Sequence, residues 1–149
     1  MKIIAENKKA GYKYQILEKY RAGIVLTGQE VKSVKMGRIS LQGSFVVVKG
    51  GEVFLIGAKI PPYQPKNAPI DYDPQQSRKL LLKKEEIKKI IGKTGQKGLT
   101  MVPTMVYTDH GKIKIEFAVV KGKKKFDKRE KIRKREIERK IRRELKNRG

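Results

Sequence analysis

Few residues in this chain have the type and spacing for chemistry, and most of them fail once their neighbours are considered. Gly92-Lys93-Thr94 has the ending of a phosphate-cradling loop, but that loop needs a glycine five positions earlier, where Ile87 stands. A glycine that ends a helix, followed by a basic loop, accounts for it better. His110 is the single histidine and falls in the turn Thr108-Asp109-His110-Gly111; with no cysteine present, a transition-metal site is not expected. Only Asp71 and Asp73 lie close together outside the expected helices, and two aspartates in a proline-rich loop initiate turns. Metal-assisted hydrolysis wants several convergent carboxylates, and none can be assembled. A non-catalytic protein without cofactors is expected.

Glu30 is different. Thr27-Gly28-Gln29-Glu30 spells a capping box, in which Thr27 caps a helix and Glu30 reaches back to the capping residue. The chain around it carries 38 Lys and Arg against 15 Asp and Glu, a formal net charge of +23. Such a charge needs an acidic partner, and nucleic acid leads over an anionic membrane surface. An acid exposed on so basic a surface can accept hydrogen bonds from base or ribose groups, which phosphate-seeking lysines cannot do. Capping and ligand contact are compatible roles. Tyr12, Tyr14, Tyr63 and Tyr72 could stack on bases, although half-buried strand tyrosines are the commoner case.

The elements that must position these residues are mostly strands. Residues 12–19 and 22–27 read as β-rich, split by Tyr20-Arg21. Residues 44–49 and 52–60 form a hairpin across Gly50-Gly51. Lys79–Leu82, Leu99–Thr108 and Lys112–Lys121 supply three more strands; strict alternation in Lys112–Phe117 predicts one buried face and one wet one. Two helices interrupt them. The first follows Thr27, turns Val31 and Val34 inward and Lys32, Ser33 and Lys35 outward, and ends at Gly37. The second runs from about Lys84 to Ile91 on a stripe of Ile87, Ile90 and Ile91, and Gly92 stops it. A loop holding Pro61, Pro62, Pro65, Pro69 and Pro74 is an ordered surface excursion. Many short strands with few helices predict a small antiparallel β-barrel of the oligonucleotide-binding type over residues 1–121.

Residues 122–149 are of another kind. Fifteen Lys or Arg against five Asp or Glu give this tail a net +10 and leave +13 for the body. Ile137, Ile141 and Leu145 recur every four residues, and pairs such as Glu130–Lys134 and Glu138–Arg142 favour a helix. That stripe is too thin to fold alone, so ordering is expected only against a polyanion. Met1–Glu6 lacks the apolar run of a signal peptide, and the longest apolar stretches are strand-sized; a soluble, cytoplasmic protein is expected.

Several motifs together resemble one family. Thr27-Gly28-Gln29-Glu30-Val31-Lys32-Ser33, Ile60-Pro61-Pro62-Tyr63, Arg78-Lys79-Leu80-Leu81-Leu82, Gly98-Leu99-Thr100 and Val102-Pro103 stand in the order of the small protein B family. Asn7-Lys8-Lys9-Ala10, Gly122-Lys123-Lys124 and Asp127-Lys128-Arg129 fit as well, so the resemblance spans essentially the whole chain. The resemblance implies binding to the tRNA-like domain of transfer-messenger RNA (tmRNA) near its D-loop elbow, as a monomer. It also implies a tail that enters the decoding centre and messenger channel of a stalled small ribosomal subunit. Elongation factor Tu, with the alanyl-charged RNA, is the implied companion, and rescue with peptide tagging the implied outcome. By motif, Glu30, Lys32 and Ser33 correspond to the RNA-contacting loop and helix, joined by Asn7, Lys8, Lys9, Arg78 and Lys79. Gly122, Lys123, Lys124, Asp127, Lys128, Arg129, Arg133 and Lys134 correspond to the start of the ribosome-binding tail.

The chain also departs from the family pattern. Ser40-Leu41-Gln42-Gly43-Ser44 replaces the usual Asn-Leu-x-acid-Ser, Lys59 and Lys83 stand where histidines are usual, and Pro69-Ile70-Asp71-Tyr72 replaces an Asn-His. Contacts that depend on those histidines do not carry over. A ribosomal structural or rRNA-binding protein is the alternative reading, since it would share a basic barrel and tail.

Overall fold

Among the described residues seven segments form strands, most of them rich in Val, Ile, Phe or Tyr, residue types that suit a half-buried pleated surface. The computed structural model of the chain describes residues 1–96, 98–122, 135 and 139–143. The strands are β1 (Lys2–Glu6), β2 (Tyr14–Ile24), β3 (Phe45–Lys49), β4 (Glu52–Ile56), β5 (Arg78–Leu81), β6 (Leu99–Asp109) and β7 (Lys112–Gly122). All pairings are antiparallel, in the order β6-β3-β4-β5-β2-β7, and β7 returns to pair with β6. Six strands therefore close a ring, which leaves the barrel no open edge. β1 adds to β6 outside it. This is the small antiparallel barrel of oligonucleotide-binding type that the sequence predicts.

Turn chemistry holds where expected. Gly50 and Gly51 both take positive φ between β3 and β4, the backbone of the tight turn whose twist matches a hairpin. Helix α2 (Gly28–Lys35) has its full capping box, with Glu30 N–H donating to Thr27 Oγ1 and Thr27 N–H to Glu30 Oε1. Inside the ring, Tyr20, Val53, Leu55, Leu80, Ile115 and Phe117 pack with Val34 from α2 and Ile90 from α3 (Lys84–Thr94).

The structure corrects several boundaries. Tyr20-Arg21 does not split a strand: both pair with β7, and the irregularity lies at Leu17, a bulge. Tyr12 is not in a strand but in a one-turn helix, α1 (Ala10–Lys13), whose Ala10 packs with Val102, Ala118 and Val120. That packing covers the outer side of β7, so Ile115–Val120 is buried on both faces rather than alternately wet. The strand after Gly51 ends at Ile56 rather than residue 60. Gly92 does not stop its helix; α3 continues to Thr94, with its C-cap at Gly95, and Ile91 points to solvent while Ile90 carries the core contact. A lone glycine weakens a helix without breaking it.

Candidate nucleic-acid interface

On an α-helix, residues three and four apart share a face. In α2 that face is Glu30, Ser33 and Val34, all buried, while Val31 is only half-buried. Ser33 therefore points inward, against expectation, and its hydroxyl donates to Pro61 O at 2.7 Å. Strand alternation does the same for β5: Arg78 sits on the inward face with Leu80, and Lys79 faces out. Glu30 and Arg78, each 2% exposed, meet there.

Their contact is closely wrapped. Arg78 Nε and Nη2 reach Glu30 Oε2 at 2.8 and 2.7 Å. Nη1 donates to Ala58 O at 2.8 Å and Gln76 O at 3.0 Å, and Nη2 also donates to Pro74 O at 2.9 Å. A guanidinium has five N–H donors; four of Arg78's make hydrogen bonds, and Nη2 also stands at ion-pair distance from Glu30. Gln76 Nε2 donates to Glu30 Oε2 at 3.3 Å, and the Tyr72 hydroxyl shares its proton between Ile60 O at 2.7 Å and that same oxygen at 3.2 Å. Burial pushes the Glu30 pKa up, but the Thr27 N–H, the Arg78 guanidinium and Gln76 outweigh it and hold the carboxyl below its ordinary value. Burial and the Glu30 charge in turn raise the Tyr72 phenol. The premise that Glu30 is an exposed acid is thus corrected, and Tyr72 is tied into the same cluster by its hydroxyl.

What lies outside this network is basic and accessible. Lys32 Nζ stands 5.6 Å from the centre of the Tyr63 ring, and Arg38 Nη1 donates to Tyr63 O at 3.4 Å. Gln29 Nε2 donates to Asn67 O at 3.3 Å, so the exposed side of α2 and the tip of the proline-rich loop make one surface. Lys79 is exposed and pairs with Glu52 at 3.0 Å. Asp73 acts as a turn residue, its Oδ1 accepting from Gln75 N–H.

Asn7, Lys8 and Lys9 form a second group. The Asn7 side chain donates to Pro103 O at 3.0 Å and its backbone N–H to Thr104 O at 2.8 Å, where β6 carries a proline-associated irregularity. Lys8 and Lys9 are exposed beside it. Lys9, Lys13, Tyr14 and Phe45 line an open groove of about 560 Å³. Gly122 ends β7; Lys123, Lys124, Asp127, Lys128, Arg129, Arg133 and Lys134 lie outside the described residues. Arg135 is described, with its guanidinium 4.6 Å from the centre of the Tyr12 ring. Residue types alone did not flag Gln29, Arg38 or Gln76. For Arg78, Glu30 and Ser33 the signal was present, in their shared periodicity with Leu80 and Val34.

The SmpB protein family model matches residues 4–147. An SsrA-binding protein of Halothermothrix orenii is 50% identical over 148 residues, covering 99% of this chain and 95% of its own length. One from Thermosipho africanus is 51% identical over 147 residues, covering 98% of each. Among solved structures, a chain from "tmRNA-SmpB: a journey to the center of the bacterial ribosome" superposes with a TM-score of 0.68 at 41% identity, over 87% of this chain and 94% of that one. The family model and these relatives cover nearly the whole chain, and the chain belongs to the SmpB protein family.

Proposed function

We propose that the protein binds the tRNA-like domain of tmRNA and brings it to stalled ribosomes, where the unfinished peptide is tagged and the ribosome released. The observation that carries this reading is the near-full-length similarity to SsrA-binding proteins together with the similarity to a solved tmRNA-SmpB chain. Physical chemistry agrees: a +23 chain presents Lys32, Lys79, Lys8 and Lys9 on its surface with a tyrosine ring beside Lys32. In this reading those side chains meet RNA near the D-loop elbow, and the barrel acts as a monomer in the cytoplasm. Residues 122–149 act as a separate ribosome-binding tail, reaching the decoding centre and messenger channel once elongation factor Tu has delivered the alanyl-charged RNA.

Sequencing the RNA that co-purifies with the protein tests the partner, with tmRNA as the expected dominant species. Stoichiometric recovery on ribosomal subunits from unstressed cells, without tmRNA, would instead mark a ribosomal structural protein. Truncation after Lys121 tests the division of labour: tmRNA binding should persist while peptide tagging collapses. With about five phosphates neutralised, log K should fall against log salt with a slope of roughly −4 to −5.

A further inference from the structure

Arg78 holds a loop by its neck. The excursion between β4 and β5 leaves the barrel at Gly57-Ala58 and returns at Gln76-Ser77. Arg78 donates to Ala58 O on the outgoing side and to Pro74 O and Gln76 O on the returning side. Tyr72 adds a second tie, from its hydroxyl to Ile60 O, and Ile60 N–H closes a third onto Pro74 O at 2.9 Å. Glu30 then fastens this neck to the first turn of α2, because its other oxygen takes Thr27 N–H. Ser33, one turn further on, bonds Pro61 O. The tip of the loop comes to lie along α2, with Tyr63 beside Lys32 and Asn67 on Gln29.

We propose that Glu30 and Arg78 are positioning residues, a buried ion pair that sets the α2–loop face against RNA without touching the RNA itself. The proposal rests on the reading that this face binds RNA. Its grounds are geometric: both side chains are 2% exposed, and all three guanidinium nitrogens are committed to partners within the protein. A lysine cannot replace such an arginine, since its single ammonium cannot span carbonyls on both sides of the neck.

The test pairs an RNA-free measurement with an RNA-binding one. Amide hydrogen exchange at Ile60 and Gln76 reports the neck, and affinity for a transcript of the tRNA-like domain reports the face. Both are taken on the full chain well below the melting temperature, so that folded protein is compared with folded protein. Glu30→Gln and Arg78→Lys should each speed exchange at the neck and weaken binding by roughly tenfold or more, a change of about one decade in Kd. The double substitution should bind no worse than the weaker single, because the two act through one contact. Tyr72→Phe removes one tie and keeps the packing; it should move both readouts the same way by less, and it carries the test should the Arg78 variant fail to fold.

Weaker binding with unchanged exchange would mean direct RNA contact and overturn the proposal. So would Arg78→Lys binding like the parent while Arg78→Met fails, the signature of a phosphate contact that any cation can make. Lys32→Ala separates the two layers of the argument. If it weakens binding while Glu30→Gln frees the neck without effect on affinity, the positioning role alone fails. If neither changes affinity, the RNA-binding reading of the face is wrong, and the proposal falls with it.

Discussion

Helices α2 and α3 begin with the same local device and use it to different ends. In each, a glutamate in the first turn accepts a hydrogen bond from the backbone N–H of the capping residue: Glu30 from Thr27 at 3.0 Å and Glu86 from Lys83 at 3.2 Å. Glu86 stays partly in water, on a helix whose core contact is made by Ile90. Glu30 is buried, and its second oxygen is committed to Arg78 of a distant strand. The shared motif starts a helix in both places. Only in α2 does it also join helix, strand and loop.

Removing the two glutamates should expose that difference. Glu30→Ala leaves a buried guanidinium without its counter-charge and should cost about 3–5 kcal/mol in denaturant unfolding. Glu86→Ala gives up a solvated cap and should cost only about 0.3–1.5 kcal/mol. Equal losses would mean that the Arg78 contact adds nothing to the cap.

Acid sharpens the same contrast. The Glu30 carboxyl is held below its ordinary value in the folded chain, so its contribution is complete above the unfolded pKa. That contribution is lost as pH falls through the lower, folded value. The stability gap between the parent and Glu30→Gln, followed by unfolding at successive pH values, should therefore narrow only in acid. A gap that closed between pH 6 and 8, as estimated from an ordinary histidine range, would point to another group.

Glycines give the smaller effects. Gly37, at φ 79° just past α2, has open space where a Cβ would go. Gly37→Ala should therefore cost about 1–2 kcal/mol by backbone strain alone. Gly92 lies within α3 in equally open space and takes no positive φ. Gly92→Ala should stabilise by about 0.5–1 kcal/mol, the entropy a glycine gives up in a helix. Thermal melts of the two variants should move in opposite directions.

Much of the barrel was legible because its cues are local. The Gly50-Gly51 hairpin and the Thr27 cap depend on residues within a few positions of one another. β1 and α1 were not legible. β1 has little to mark it as a strand except its place beside β6, and α1 is one turn long, held by the seat Val102, Ala118 and Val120 make for Ala10. Tyr20-Arg21 read as a break because a polar pair interrupts the run; the strand continues because Tyr20 stacks on Phe117, with ring centroids 5.7 Å apart. At the candidate site, Lys32 was expected to face outward and does so. Ser33 and Glu30 were assigned outward because polar residues ordinarily prefer water.

Residue types and their periods determined by themselves that the chain is basic, where its turns fall, and that Val34 of α2 faces the core. Those properties follow from charge count and from the 3.6- and 2-residue repeats of helix and strand. Only the tertiary structure decided which polar residues on the inward faces would be satisfied there. Glu30 and Arg78 are 48 residues apart in sequence, and nothing local brings them to 2.7 Å. A buried charge is tolerable only beside its partner and a full set of hydrogen bonds, and barrel closure with the return of the proline-rich loop supplies both.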